Sequence, residues 1–94
     1  MSNKTLSQIA IEYVISHPDL GGKIAYGYLM ELDEIYMTWL EQYPNKKKVH
    51  PINMWNRVLN ALDNDSKNWE KKYFRANRGK ARVFYLINKE LYVK

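Results

Sequence analysis

Cysteine is absent from the 94 residues and histidine occurs only twice, at His17 and His50. Neither a disulfide framework nor a thiolate zinc site is therefore available, and two distant imidazoles make a poor metal centre. Glycine and proline are sparse, at four and three residues, and the chain shows no linker, internal repeat, low-complexity tract or Gly-rich phosphate loop. No apolar run approaches the roughly 20 residues that span a bilayer, and the opening MSNKTLSQ lacks the basic-then-apolar layout of a signal peptide. These absences lead us to expect a soluble, cytoplasmic protein with no cofactor, whose fold rests on its core alone.

Material for that core is plentiful: three Trp, eight Tyr and two Phe stand among spaced Leu, Ile and Val. Each large ring can bury roughly 150 to 250 Å². A chain of this length makes one domain, 1–94. Leu6, Ile9, Ala10, Tyr13 and Val14 predict a helix from Thr5 to Ser16, capped by Ser2 or Thr5 and stopped by His17, Pro18 and Asp19. Gly21 and Gly22 supply a turn. Leu32, Ile35, Tyr36, Trp39, Leu40 and Tyr43 form one apolar stripe of a second helix, with Glu31, Asp33 and Glu34 at its dipole-favoured start. The segment Ile24 to Met30 reads equally as that helix's beginning, a separate short helix or a strand. Pro51 opens a third helix, where Ile52, Trp55, Val58, Leu59 and Leu62 predict the buried stripe and Asp63 to Ser66 the end. Trp69 to Ala76 and Ala81 to Ile87 then read as strands flanking a tight turn at Gly79, and Leu91 to Val93 as a last strand or a tail.

Charge is unevenly distributed along this order. From Lys46 onward lie thirteen of the fifteen Lys and Arg with four acids, a balance of +9, while the residues before it carry two cations and six acids, −4. Positive charge thus coincides with the third helix and the hairpin, as a polyanion-binding surface requires. On the helix, Asn53, Asn56, Arg57 and Asn60 recur at i, i+3, i+4 and i+7, opposite the apolar stripe. Asn pairs bidentately with adenine and Arg with guanine in the major groove, so these types suit base reading. Lys46, Lys47, Lys48, Lys72, Arg75, Arg78, Lys80 and Arg82 are candidates for phosphate contact. The bland alternatives are a solvated helix face, and hairpin charges that only protect a strand edge.

Helix, helix, helix and basic hairpin, carried by WNRVLNAL at 55–62 and YFRANRGKARVFYLI at 73–87, resembles the winged-helix branch of the helix-turn-helix proteins. The link from Tyr43 to Pro51 is longer and more basic than the usual turn of roughly 3 to 4 residues. The resemblance implies an α+β fold of three helices followed by a two-stranded wing. It also implies sequence-selective binding of double-stranded DNA, with helix 51–62 in the major groove and wing 73–87 on the backbone, as in small transcriptional regulators, with a homodimer a reasonable expectation. The alternative is a protein-binding adaptor or inhibitor of a nucleic-acid-handling complex, of the kind mobile elements encode, docking through the acidic helix 31–43 or the basic wing. RNA binding is a third possibility.

An enzyme is not expected. Pro18 and Asp19 with the later Glu70, Lys71 and Lys72 formally match metal-dependent nuclease elements, but two helices separate them. Glu31, Asp33 and Glu34 read as a helix start and not an acid/base pair.

Overall fold

The computed structural model describes residues 3–76 and 79–87, with side chains given outside positions 74–81. Its element order is α1 (Leu6–Ser16), β1 (Lys23–Ala25), α2 (Leu29–Leu40), α3 (Pro51–Asp63), β2 (Trp69–Ala76) and β3 (Gly79–Leu86), with a single 3₁₀ turn at Pro18–Leu20. Among the described residues this is a small α+β domain of three helices and one three-stranded antiparallel sheet in the order β1-β3-β2. Of the three readings open for the stretch before α2, a strand pairing with the hairpin is the one found, at Lys23–Ala25: Ile24 is fully buried and pairs with Phe84, which adds a third strand to the two-stranded hairpin.

Local chemistry accounts for the boundaries. Thr5 Oγ1 accepts from the Gln8 amide at 3.1 Å while Gln8 Oε1 accepts from the Thr5 amide at 2.9 Å, a reciprocal cap that satisfies two otherwise orphaned donors. After the 3₁₀ turn, Gly21 and Gly22 adopt φ of 70° and 74°, a left-handed region that residues with a Cβ enter at a cost. His50 caps α3, its Nδ1 accepting from the Ile52 amide at 3.3 Å, and Pro51 follows where no amide proton is needed. The second helix stops at Leu40, earlier than its apolar stripe implies, and Tyr43 lies in the turn beyond it. Residues 88–94, with the suggested final strand, lie outside the described residues, as do Ser2 and the hairpin tip at 77–78.

The core sits between the helices and the face of the sheet that carries Ile24, Phe84, Trp69 and Leu86. On α3 the buried residues are Met54, Val58, Leu59 and Leu62. Ile52, expected in this stripe, is 49% exposed, while Met54 in the same turn is buried and fills the inward position. Trp55 is half-buried and donates from Nε1 to Asp33 Oδ1 at 2.6 Å, tying α3 to α2.

One polar cluster closes the far side. Buried Ser7 on α1 accepts from Trp69 Nε1 at 2.9 Å and donates to Asp65, whose carboxylate also accepts from Asn68 Nδ2. The hydroxyl therefore joins α1 to the start of the hairpin. Ser7→Ala leaves the buried indole N–H and the Asp65 carboxylate short of a partner, so it should destabilise by about 1–3 kcal/mol in urea unfolding. Gln8→Ser, which touches only the exposed cap, should cost less than half as much.

Candidate nucleic-acid interface

With 100° per residue, Asn53, Asn56, Arg57 and Asn60 span an arc of roughly 100° on α3. Met54, Val58 and Leu62 face the core, and burial of that side leaves the arc outward. Asn53, Arg57 and Asn60 are exposed and Asn56 is half-buried, so all four base-reading candidates share one accessible surface.

Asp63 extends this surface. Seven residues beyond Asn56, it lies almost directly in line with it, about 10 Å further along the axis. Its Oδ1 lies 3.0 Å from Lys71 Nζ and its Oδ2 3.9 Å from Arg82 Nη1. A carboxylate at a helix C-terminus opposes the dipole, and the last turn of α3 holds no basic residue of its own. Two hairpin cations provide the compensation. The lysine responds in kind: Lys71 titrates above its ordinary value, first because of its hydrogen bond to Asp63 and next because of Tyr73.

The hairpin's register sorts its charges into two sheet faces. Lys71 pairs with Phe84, Tyr73 with Arg82 and Arg75 with Lys80, and alternate pairs share a face, so these positions continue outward from the buried Phe84. Lys72 pairs with Val83, in the alternate set with Glu70 and Tyr85. Its ammonium lies 3.7 Å from Glu70 and 5.4 Å from the Tyr85 ring centroid. Lys72 is therefore not on the face that meets Asp63. Arg75 and Lys80 occupy the outer register positions, their side chains lying outside the described set, and Arg78 falls outside the described residues. Lys46 is drawn back over the rings of Trp39 and Tyr43, 5.0 and 4.8 Å from their centroids, whereas Lys47 and Lys48 are exposed on the approach to α3.

Sequence reasoning missed Asp63, Lys71 and Tyr73. Asp63 read as a turn residue, and only the hairpin register, which brings Lys71 and Arg82 to one face, reveals its role. No group of three or more His, Cys, Asp or Glu suited to a metal ion occurs among the described residues.

The acidic half is partly committed to internal contacts. Asp33 receives the Trp55 indole, Glu12 pairs with Lys4 at 2.8 Å, and Glu34 lies against Tyr13. Burial raises the Tyr13 phenol to about 12, with its hydrogen bond to Glu34 and the nearby Glu34, Glu31 and Asp19 charges adding to the shift. Since the folded value exceeds the unfolded one, this contribution to stability is complete below pH 10 and is lost as pH rises through about 12. Ultraviolet titration should show one tyrosine ionising after the ordinary ones, and Glu34→Gln should bring it down. Comparison of the chain with protein-family models, curated proteins and solved structures gives no match.

Proposed function

We propose that the chain is a winged-helix protein that binds double-stranded DNA without catalysing a reaction, with α3 in the major groove and the β2–β3 hairpin on the adjacent backbone. The observation that carries this reading is the pairing of Asp63 with Lys71 and Arg82. It joins the Asn and Arg arc of α3 to the cationic face of the hairpin, so that groups suited to bases and groups suited to phosphates form one surface. The order of three helices followed by a β-hairpin, to which β1 adds a third strand, also supports the reading. Asn53, Asn56, Arg57 and Asn60 read base edges in this scheme, and Lys47, Lys48, Arg75, Arg78 and Lys80 contact phosphates. Lys46, Lys72 and Arg82, each with a neighbour of its own, contribute less. Regulation of transcription in the cytoplasm, with two copies extending the site, is the corresponding role.

Gel-shift titration of a random duplex across a salt series is the direct test. Binding should weaken steeply with salt, as counterion release demands, and absence of binding at low salt would sink the reading. Lys47→Ala with Lys48→Ala should weaken all sequences alike and reduce the magnitude of the salt slope by about 2 if both touch phosphates. Asn56→Ala should cost about 1–3 kcal/mol on a selected preferred site and little elsewhere.

A second reading, the protein-binding adaptor, is favoured by one specific observation. Met30 on the acidic helix α2 is 76% exposed, with Leu29 and Met37 exposed nearby. Flexible thioethers on a charged helix suit a protein partner. Under that reading, Met30→Ser impairs partner capture and leaves DNA affinity unchanged.

A further inference from the structure

Tyr73 has no role in the duplex-binding scheme, yet its setting is organised. It lies in β2, an edge strand, opposite Arg82 of β3, and it is 56% exposed. Lys71, two residues earlier and therefore on the same face, places Nζ 5.6 Å from the ring centroid. Both cations are gathered by Asp63, at 3.0 and 3.9 Å. An accessible aromatic ring thus stands beside Lys71, across the strand pair from Arg82, with both cations tied to the end of α3. On the other side of β3, β1 ends at the pair of Ala25 with Val83, and Tyr26 follows in the turn just beyond it. Tyr26 is 43% exposed, and the edge of its ring is set against Trp55 at 6.1 Å between centroids.

We propose that Tyr73, flanked by Lys71 and Arg82 at the root of the hairpin, is a stacking site for an unpaired nucleobase, with Tyr26 as a second ledge. This inference rests on the nucleic-acid part of the function proposed above, and it extends that reading from plain duplex to duplex bordered by a single-stranded segment. The chemistry suits the ligand: every base offers a π-face to an aromatic ring, and the phosphates on either side of a splayed base need cations within a few ångströms of that ring. A water-exposed tyrosine alone would be ordinary. The two cations, both brought to its side by one carboxylate from a different element, distinguish this one. Asp63 acts here as a positioning residue, holding Lys71 and Arg82 where a nucleotide's phosphates can exchange with it.

The test uses the full chain and three probes: a blunt duplex, the same duplex with a single-stranded extension carrying 2-aminopurine, and the extension as a free oligonucleotide. The wild-type chain should bind the extended duplex about 5- to 100-fold more tightly than the blunt one, and should quench 2-aminopurine fluorescence by stacking. Tyr73→Phe should keep both effects. Tyr73→Leu, which retains apolar bulk without the ring, should lose them while leaving blunt-duplex affinity within about twofold of wild type. Hairpin integrity is checked by circular dichroism. Equal binding of blunt and extended duplex by the wild type, or an unchanged preference in Tyr73→Leu, overturns the proposal. Binding of the free oligonucleotide that depends on Tyr73, with no binding of blunt duplex, supports the stacking site and sinks the duplex reading. Failure to bind any of the three overturns both.

Discussion

Among the described residues β3 is paired on both sides only along Val83, Phe84 and Tyr85, and the architecture follows from that limit. Where β1 and β2 both flank it, Phe84 is fully buried, and Leu86 just beyond, paired with Trp69, is nearly so. Beyond Val83 no third strand flanks it among the described residues, and β2 and β3 continue outward as a ribbon. Two strands alone are marginal in water. The ribbon therefore depends on its root, where Trp69 reaches the Ser7 hydroxyl and where Lys71 and Arg82 meet Asp63. Anything that fixes β3 in the core also sets the direction in which the hairpin leaves it.

The electrostatic asymmetry of the chain becomes a spatial one through the same strand. The register alternates charges between the two sides of the hairpin, and the side continuous with Phe84 receives Lys71 and Arg82. Six acids precede Lys46. Three of them have identified partners, in Lys4, Trp55 and Tyr13, but the neutral indole and phenol orient Asp33 and Glu34 without removing their charge, so the balance of −4, in which Lys4 is already counted, stands. Surface charge of one sign steers association and sets salt dependence without determining fold. The helix dipole adds a local demand, since the end of α3 is the negative pole and carries Asp63 as well.

Much of this was legible in the residues, for identifiable reasons. Long amphipathic periodicity located all three helices, and Thr5 as a candidate cap and the prolines at Pro18 and Pro51 marked boundaries, because these signals are local. The exposed arc from Asn53 to Asn60 was legible for the same reason. Position within a helix was harder to read. Ile52 and Met54 are both apolar in the first turn, and which one packs depends on how far the neighbouring elements extend. β1 was ambiguous because three residues pair only where β3 already stands, a contact separated by about sixty residues. The Asp63 cluster is likewise non-local: its members belong to a helix and two strands, and no spacing rule connects them before the register is known.

Strength decides what such a cluster can do. Asp63, Lys71 and Arg82 are each about one-third exposed, and solvent-exposed ion pairs contribute roughly 0–1 kcal/mol apiece. An arrangement this weak orients the hairpin root without locking it. A rigid, dry salt bridge would resist exchange, since separating its charges would leave one unpaired in low dielectric. Here water already reaches both partners, and a phosphate arriving at Lys71 or Arg82 can replace the carboxylate with an equivalent anion at little cost. Asp63 then occupies, in the free protein, the place of the negative group that the proposed ligand would bring. On this view the acid on the cationic face has a definite part. It keeps two side chains extended in a binding-ready arrangement, and the contact is exchanged at low cost because both pairs are already reached by water.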